Sequence, residues 1–511
     1  MTSAKGKIGP RGGAVAAGHE ATAGAAAQIL ADGGNAFDAA IAGLWMACVA
    51  EPILASPAGG GFLMAHTAGG TELFDFFSQT PRRFCPDAEF EAVTVDFGTA
   101  TQVYHIGAGS AAVPGFVPGL YAVHKRLGQL AMPHLLAPAI AAARAGVGLT
   151  AFQAQVASLV EPILLAQTRT ADHFAPGGAL PRPGANIRNP ELADTLAQLA
   201  KEGVRLFTHG RFANAMVAGC AQGRGHLTAA DVSSYEVVRR APLWVDHHGW
   251  RLALNPPPAA GGAMVGLTLA LVAERSKNGA GRDRAAPEIL VRSLAEVAAI
   301  RDQNAFDVAR RICNGVRSAP PDRHVDHWAS RRGTTHISVI DAQGNAVAAT
   351  VSNGEGNGHM VGGFLMNNML GEDDINPGGF GNWTPGTRLS SMMAPTLLSR
   401  GGEIVALGSG GSNRIRSAVA IVAARIAAGH ALAEAIAGPR LHVEDAHLDF
   451  EDHFSAADRA ALIAAFPDHR AWPRSGMFFG GVHVAALGAD GCLDASADPR
   501  RDGAAHRSAP Q

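Results

Sequence analysis

The stretch GTTHISVIDAQGNAVAATVSN, residues 333–353, decides how this chain folds. Its first run alternates in side-chain character, the turn-forming residues DAQGN follow, and a second β-rich run comes after them. This pattern predicts a β-hairpin. If the turn centres on Gln343, then Thr334 lies opposite Ser352, and their Cβ atoms are roughly 4.5–5.5 Å apart. Two hydroxyl side chains would then face each other at one end of the hairpin.

Thr334 is a candidate nucleophile because of the glycine that precedes it. A threonine hydroxyl inside a chain has no built-in base. If the Gly333–Thr334 bond is cut, Thr334 gains an α-amine with an ordinary pKa of about 7.7–8.0, and that amine can take the hydroxyl proton. Ser352 could hold the hydroxyl in the attacking rotamer, and the small Gly333 leaves its carbonyl open to an N→O acyl shift. The alternative is that a Thr-Thr pair merely opens a strand, as β-propensity favours.

Two further segments carry candidate binding groups. LGSGGS, residues 407–412, precedes a predicted helix, where the backbone N–H groups of Gly410 and Gly411 could stabilise an oxyanion. A phosphate-binding loop is the rival interpretation, but neither GxxxxGK[ST] nor GxGxxG is present, and a simple tight turn stays open. Ser390 and Ser391, which follow Arg388, could bind a carboxylate or be ordinary loop residues.

The composition fits a large globular protein without charged partners. The chain has 511 residues, of which 47% are hydrophobic and 17% charged, and its net charge is −2. A large core is therefore expected, and nucleic acid or an anionic membrane surface is not an expected partner. The five scattered cysteines suggest neither disulfides nor zinc. The beginning of the sequence lacks an apolar signal segment, so we expect a cytoplasmic protein without membrane contact. We also expect neither a metal nor a cofactor.

The order of helices and strands points to an α+β fold, here a layered αββα arrangement. Residues 19–33 read as a helix, and a second, buried helix begins after Asn35 as N-cap and ends at Glu51. Strand-like sequence follows at 62–77, helices alternate with loops over 115–300, and 314–333 reads as an exposed linker. Short β-rich runs then dominate from 334 to 412, before a helix at 417–429 and strands near 478–487.

Several segments, in this order along the chain, resemble the γ-glutamyltranspeptidase (glutathione hydrolase) family. The resemblance covers nearly the whole sequence. Its segments are GHEATAGAAAQILADGGNAFDAAIAGLWMACVAEP (18–52), GGGF (59–62), AAVPGFVPGL (111–120), HLTAADVSSYEVVRRAPL (226–243), NPPPAAGG (255–262), GTTHISVIDAQGNAV (333–347), FLMNNML (364–370), RLSSMMAPTL (388–397), GSGGSNRI (408–415) and ASADPRRDG (495–503).

The resemblance implies an N-terminal-nucleophile hydrolase with a four-layer αββα sandwich. It implies one precursor that cleaves itself before Thr334 into chains 1–333 and 334–511, which stay associated as one body. A homodimer stays open as a further assembly. By the same resemblance, the roles fall as follows: Thr334 is nucleophile and base, Ser352 hydrogen-bonds it, Gly410 and Gly411 form the oxyanion hole, and Ser390 and Ser391 bind a substrate carboxylate.

Departures from the family pattern concern the substrate, which we expect to be a small-molecule amide. Phe77 stands where glutathione-using members carry an arginine that binds the glutamyl α-carboxylate. Gly354 and Met369 replace an asparagine and a glutamine. The acid that pairs with the α-amine is shifted into the segment 371–374, with Glu372 the nearest match and Asp373 beside it. The segment between that acid and Ser390 is also short, so a lid loop over the site is not expected.

These departures predict weak or no turnover of glutathione. Arg82, Arg83 or Arg388 could restore a cation to the site. Otherwise we expect an acyl group without the amino-acid head, since family relatives that act as oxamate amidohydrolases or cephalosporin acylases accept other amides. Two further alternatives are a non-catalytic binding protein that retains the fold and a nucleotide-binding enzyme built on the glycine loops.

Several histidines are further candidates for metal binding or for a role beside Thr334. The run from His442 to Asp449 is rich in metal-ligand types, but its spacing is not HExxH, and we read it as a strand edge with solvated charges. His336 could tune the Thr334 amine or be a packed neutral histidine. We read His324 and His327, in the linker, as solvent-facing.

Overall fold

Two antiparallel sheets lie face to face at the centre of the protein, and helices cover their outer faces. The structure is a computed structural model that describes residues 12–96, 101–277, 285–300, 305–313, 333–376 and 379–508. The predicted linker, with His324 and His327, lies outside the described residues except for Gly333. Among the described helices, none combines the length and apolar character needed to cross a bilayer. The predicted α+β, four-layer αββα class is confirmed.

The first sheet, here called sheet I, contains the predicted hairpin of residues 333–353. In the described residues it has seven strands, in the spatial order Ala504–Arg507, Gly13–Ala17, Thr334–Asp341, Ala346–Ser352, Gly60–Thr67, Gly70–Phe76 and Val238–Arg240. The predicted register is confirmed, because Thr334 pairs with Ser352 and the pairing continues without a bulge to Ile340 and Ala346.

The two faces of the Thr334–Asp341 strand have different neighbours. Ile337 and Val339 belong to the core formed with the helices outside sheet I. Ile340 belongs to the core between the sheets, and side chains at every second position share a face, so Thr334 and His336 point toward the second sheet. The candidate nucleophile therefore lies in the layer between the sheets.

The second sheet, sheet II, faces the Thr334 strand with glycines. Within the described part of the chain it has six strands, in the order Leu493–Ser496, Gly481–Leu487, Glu403–Gly410, Thr396–Arg400, Trp250–Leu254 and Leu243–His247. The LGSGGS stretch, for which a tight turn was the alternative interpretation, runs through Gly410 as the end of an inner strand, so residues 407–410 are not a turn. Pairing with Gly481–Leu487 holds these glycines in extended form, which overrides their turn preference.

The helices over sheet I begin and end where the sequence indicated. Glu20–Ala31 follows His19, whose ring accepts the N–H of Ala21. Ala36–Ala50 begins with a capping box between Asn35 and Asp38 and is buried along its whole length. The other described α-helices before Val238 are Phe116–Leu127, Met132–Ala145, Ala151–Leu159, Glu161–Leu164, Thr168–Phe174, Pro190–Glu202, Arg205–Thr208, Arg211–Gln222 and Ala229–Ser233.

The helices over sheet II complete the fourth layer. They include Gly261–Lys277 and Arg414–Ala427, which pack on its strands. The other helices of this half are Pro287–Ala298, Ala305–Cys313, Leu432–Ala437 and Ala456–Ala465. Smaller pairings join Glu91–Asp96 with Thr101–Ile106, Val147–Gly148 with Asn186–Ile187, and Met360–Val361 with Phe364–Leu365.

A small three-stranded sheet corrects one prediction. It contains Leu441–Glu444, His447–Glu451 and His469–Trp472. Here His442 and Glu444 are buried, with Glu444 bound to Arg416 at 2.8 Å and to His442 at 3.0 Å. The prediction of solvated charges is therefore wrong for His442 and Glu444, which are paired in the interior, whereas Asp445 is exposed. In the described residues no group of three or more His, Cys, Asp or Glu side chains is placed to hold a metal ion.

Candidate active site

Ser352 connects the Thr334 hydroxyl with the carbonyl that precedes it. Thr334 Oγ1 donates to Ser352 Oγ at 3.4 Å, and Ser352 Oγ donates to the Gly333 carbonyl oxygen at 2.6 Å. The Gly354 N–H also donates to Ser352 Oγ, at 3.1 Å. Strand pairing brings Ser352 here, because it is the residue opposite Thr334. The arrangement places a hydroxyl nucleophile and a polarised carbonyl at the same peptide bond.

Glu355 binds the N–H of Gly333, a role that no sequence pattern indicated. Its Oε1 accepts the Gly333 N–H at 2.6 Å, and its own N–H donates to Asn368 Oδ1 at 2.9 Å. A Cβ at position 333 would lie 2.7 Å from the Gly354 carbonyl oxygen, so glycine is required there. The residue before Thr334 is thus fixed through both its N–H and its carbonyl.

Gly410 and Gly411 approach Thr334 from sheet II. A Cβ at Gly410 would lie 2.1 Å from the Thr334 carbonyl oxygen, closer than any side chain can come. Gly411 leaves the strand with φ +126°, and Ser412 follows with φ +55°, a left-handed conformation that is uncommon for serine. The structure therefore brings both predicted glycines beside Thr334, with the change of backbone direction at Gly411.

Thr335, the neighbour of the candidate nucleophile, has a different environment. Its hydroxyl donates to Glu51 Oε2 at 2.7 Å, and Thr22 donates to the other oxygen at 2.8 Å. Burial raises the pKa of the Glu51 carboxyl, since desolvation disfavours its charged form. These bonds tie the strand to the end of the Ala36–Ala50 helix, on the face away from Thr334.

His336 is a packed histidine between the sheets. Its Nδ1 lies 2.8 Å from Thr350 Oγ1, and its Nε2 lies 2.9 Å from Ser338 Oγ. Burial lowers the pKa of this imidazole well below its usual value, and the nearby His483 lowers it further. The ring is neutral near pH 7 and both its nitrogens contact hydroxyls, which is the packed alternative of the two that the sequence allowed.

Ser390 and Ser391, the predicted carboxylate ligands, contact the segment NPPPAAGG at 255–262. Ser390 Oγ donates to the Pro258 carbonyl at 3.0 Å, and Ser391 Oγ accepts the Met393 N–H at 3.1 Å. The Ser391 carbonyl accepts N–H groups from Ala260 and Gly261. Both serines are thereby fixed against the NPPPAAGG segment.

Glu372 and Asp373 separate in the structure. Glu372 is buried, and its Oε1 would lie 2.2 Å from a Cβ at Gly354, while Asn368 Oδ1 would lie 2.0 Å from it. The missing asparagine side chain is therefore replaced by these two neighbours. Asp373 is exposed, and its charge acts on His105, so the structure does not bring it to the group around Thr334.

None of Arg82, Arg83 and Arg388 takes the place of the arginine that Phe77 replaces. Phe77 is buried and stacks on Phe62 with ring centroids 5.4 Å apart. Arg388 donates to the Phe77 carbonyl at 2.6 Å and lies 3.2 Å from buried Asp75. Arg83 donates to the Gly225 carbonyl at 3.3 Å, and no described contact carries the Arg82 guanidinium to Thr334.

A cavity of about 490 Å³ opens beside the Gly333–Thr334 bond. Gly333, Glu355 and Gly411 form its end near the bond, and its other walls are largely apolar. A second cavity, of about 530 Å³, is lined by residues from the segments 108–111, 167–222 and 357–366 and includes neither Gly333 nor Gly411. The first cavity is the one that the candidate nucleophile can serve.

Comparison with known proteins agrees with this geometry. The sequence model of a family described as gamma-glutamyltranspeptidase matches residues 22–310 and 293–508. A glutathione hydrolase proenzyme of Pseudomonas aeruginosa is 30% identical over 96% of this chain and 94% of its own. The Acylase ACY 1 proenzyme of Pseudomonas sp. (strain V22) is 29% identical over 96% and 92%. A cephalosporin acylase from Bacillus halodurans, 22% identical, shares the fold with a TM-score of 0.78 over 99% of this chain and 97% of its own.

Proposed function

Because this chain belongs to the γ-glutamyltranspeptidase family, we propose that it cleaves itself before Thr334 and then uses Thr334 to open a small-molecule amide. The observation that carries the proposal is the chain of hydrogen bonds from Thr334 Oγ1 through Ser352 Oγ to the Gly333 carbonyl oxygen. The enzyme class follows from the family, whereas the identity of the nucleophile is our assignment.

Self-cleavage starts with attack of Thr334 Oγ1 on the Gly333 carbonyl carbon. The bond from this carbon to the Thr334 nitrogen breaks, the nitrogen gains the proton that the hydroxyl loses, and the Gly333 acyl group becomes an ester on Oγ1. Ser352 supports the step because its hydroxyl hydrogen already lies on the oxygen that becomes negative. Water then hydrolyses the ester, which releases a Gly333 carboxylate and leaves Thr334 with a free α-amine.

Turnover of a substrate amide repeats this chemistry with the new amine as base. The amine accepts the hydroxyl proton while Oγ1 adds to the substrate carbonyl, and the substrate amine leaves with a proton. For the oxyanion we propose the backbone N–H groups of Gly410 and Gly411, because Gly410 lies against Thr334 and Gly411 lines the cavity. Water, or an acceptor amine, takes the acyl group from Thr334.

A Thr334→Ala variant tests the assignment. We expect it to remain a single 511-residue chain on a denaturing gel and to hydrolyse no amide, because both steps need the hydroxyl. Wild type should give chains of 333 and 178 residues, where 178 is 511 − 333. Mass spectrometry should show that the smaller chain begins at Thr334. Thr334→Ser is the matched control and should retain processing. Cleavage that persists in Thr334→Ala would refute the nucleophile.

The acyl group is the second part of the proposal. We propose that γ-glutamyl amides are poor substrates, and that a non-glutamyl amide, as in the acylase relatives, is the alternative that the site favours. Phe77 offers no charge for an α-carboxylate, and Arg388 is bound to Asp75 and two backbone carbonyls. Processed protein should be assayed side by side on γ-glutamyl 4-nitroanilide, oxamate and simple acyl amides. Efficient γ-glutamyl hydrolysis would contradict this part.

A further inference from the structure

Arg501 is a buried cation that contacts no described acid directly, while the charges of Asp498, Glu355 and Glu51 act on it from farther away. Its Nη1 donates to the Thr334 carbonyl at 3.4 Å and its Nη2 to the Met477 carbonyl at 3.5 Å, both long bonds, and its Nε has no partner. Only 6% of the residue is exposed, and burial lowers the pKa of the guanidinium to about 10. Within the described part of the chain, no carboxylate forms an ion pair with it.

The neighbouring arginine shows the usual arrangement. Arg500 is equally buried, but it lies 2.5 Å from Glu451 and 3.3 Å from Asp498. Removing a charge from water costs several kcal/mol per ion, so buried charges are normally paired. The contrast between two adjacent residues indicates that Arg501 faces a space in which an anion can bind.

That space is the cavity beside Thr334. Arg501 lines it next to Gly411 and Gly333, and Arg414 lines the same region. The wall also contains a third arginine, Arg474, and an apolar part formed by Phe152, Val156, Leu159, Trp472 and Phe478. The Arg501 guanidinium lies 5.3 Å from the Phe152 ring centroid, and the Arg414 guanidinium lies 4.7 Å from that of Phe478. The cavity is therefore cationic near the scissile bond and apolar beyond it.

We propose that this cavity is the acyl site, and that it selects an amide whose acyl group carries a carboxylate, which pairs with Arg501, and an apolar body of about the size of an aromatic ring. The inference rests on the proposed function, since it assigns the substrate of the Thr334 site. Gly333 supports the acyl side, because this residue lines the cavity and is itself the acyl donor in self-cleavage.

The charges of the cavity also exclude the amino-acid head of a glutamyl group. An α-ammonium group would meet the guanidinium groups of three arginines there, Arg414, Arg474 and Arg501. The acid in the wall, Glu355, already accepts the Gly333 N–H. Hydrolysis consumes one water: the amide C–N bond breaks, the amine leaves with a proton, and the acyl group departs from Thr334 as a dicarboxylic acid.

The test compares two substrates that differ in one charge. These are the mono-4-nitroanilide of phenylsuccinic acid and its methyl ester, with γ-glutamyl 4-nitroanilide as a third. In processed wild type we expect kcat/KM for the free acid to exceed that for the ester by about 100-fold, as a desolvated charge pair provides. In Arg501→Gln this preference should disappear, mainly through a rise in KM for the free acid.

Three further measurements separate recognition from a fold defect. Arg501→Lys should keep part of the preference, and Arg507→Gln, an exposed arginine six residues further along the chain, should keep all of it. Denaturing gels report whether each variant is processed. Calorimetry should show that phenylsuccinate binds processed wild type more tightly than its dimethyl ester does, which needs neither turnover nor a variant.

The outcomes distinguish this inference from the proposed function. Equal turnover of acid and ester, or equal binding of phenylsuccinate and its dimethyl ester, overturns the carboxylate site while leaving the Thr334 chemistry intact. A preference that survives in Arg501→Gln overturns the role of Arg501. If the wild type is processed but cleaves no amide, the proposed turnover fails, and the calorimetric comparison still decides the cavity.

Discussion

At the scale of single residues, one hydroxyl serves two partners. Ser352 accepts from Thr334 Oγ1 and donates to the Gly333 carbonyl, so it uses its single hydrogen on the group that gains negative charge. The Gly354 N–H fixes the serine oxygen from a third side. The position of the proton is therefore determined by the neighbours of Ser352.

Replacing Ser352 tests this role. In Ser352→Ala we expect self-cleavage to slow by roughly 10²–10³-fold, the usual effect of removing one donor to a developing oxyanion. Ser352→Thr keeps the hydroxyl and should keep most of the rate. The rate is measured as loss of the full-length band on a gel, with thermal unfolding as a check on the fold. A normal rate in Ser352→Ala would remove the serine from the mechanism.

Gly354 is the position at which the family pattern cannot simply be restored. Its φ is +65°, and a Cβ there would lie 2.0 Å from Asn368 Oδ1. We expect Gly354→Asn to cost roughly 2–4 kcal/mol of unfolding free energy, from overpacking and backbone strain, without creating glutathione hydrolysis.

The matched control is Gly402→Asn, at φ +91° with no heavy atom within 4 Å of a Cβ. It carries the backbone strain without the contact, so it should cost only about 1 kcal/mol. The measurement is chemical denaturation of both variants. Equal losses would show that Asn368 and Glu372 are easily displaced.

Local sequence predicts some of these residues and not others. The pairing of Thr334 with Ser352 follows from a turn of known centre, since each residue along a hairpin fixes its opposite. Glu355 and Arg501 escaped notice, because their roles depend on contacts with Gly333 and Thr334 that no periodic pattern records. Asn368, which fills the space at Gly354, belongs to the same class.

At the scale of elements, the spacing of the two sheets is set by glycine. A Cβ at Gly408 would lie 2.3 Å from His336 Cε1, and one at Gly410 would lie 2.1 Å from the Thr334 carbonyl oxygen. The strand Glu403–Gly410 can therefore approach the strand Thr334–Asp341 closely only because both positions lack a side chain.

Gly408→Ala should separate these strands locally. We expect a loss of about 1–3 kcal/mol in unfolding free energy, as overpacking costs, together with slower self-cleavage, because the glycines beside Thr334 move with the strand. Gly24→Ala is the control: it lies in the helix Glu20–Ala31, where a Cβ meets nothing within 4 Å, and should be neutral or stabilising. Unchanged stability and rate in Gly408→Ala would mean that the sheets can adjust.

The histidines between the sheets predict a loss of stability in acid. Burial lowers the pKa of His483 to about 4, from a usual 6.5. As the pH falls below 6.5 the unfolded chain binds a proton that the folded protein does not, so stability decreases down to about pH 4. One such histidine contributes about 1.4 kcal/mol per pH unit in this window. His336 acts in the same direction.

Denaturation at several pH values checks this prediction. His483→Gln should have a shallower dependence of unfolding free energy on pH between 6.5 and 4, whatever its stability at neutral pH. His506→Gln, on an exposed histidine, is the control and should keep the wild-type slope. An unchanged slope in His483→Gln would contradict the assignment.

Helix ends were the easier elements to predict, and the glycine strand was not. Asn35 and Asp38 form their capping box from residues three apart, so the local sequence contains the whole interaction. The strand Glu403–Gly410 pairs with two strands, at 396–400 and 481–487, and the second of these is distant in sequence. The paired charges of the Leu441–Glu444 strand also required tertiary contacts with Arg416.

At the scale of the whole molecule, the two predicted chains interleave. In sheet I, Gly13–Ala17 lies between Ala504–Arg507 and Thr334–Asp341, and Ala346–Ser352 pairs with Gly60–Thr67. Sheet II likewise joins Trp250–Leu254 to Thr396–Arg400. The sequence predicted one body, but only the strand order shows how fully the halves are mixed.

The cleaved chains should therefore remain together. We expect both to elute as one species in native gel filtration and to unfold in a single transition, because separating them breaks both sheets. The same sample on a denaturing gel should show two bands. A small chain that elutes alone under native conditions would contradict the interleaved order.

The interleaved strands also make folding before cleavage different from refolding after it. Before the cut, folding is unimolecular, and the strand Gly13–Ala17 is delivered to its place by the same polypeptide that supplies its neighbours. After the cut, refolding becomes a second-order encounter of two fragments whose rate depends on dilution. Heat that a precursor survives reversibly can thus inactivate the mature enzyme for good, so that its working lifetime is governed by the rate of unfolding.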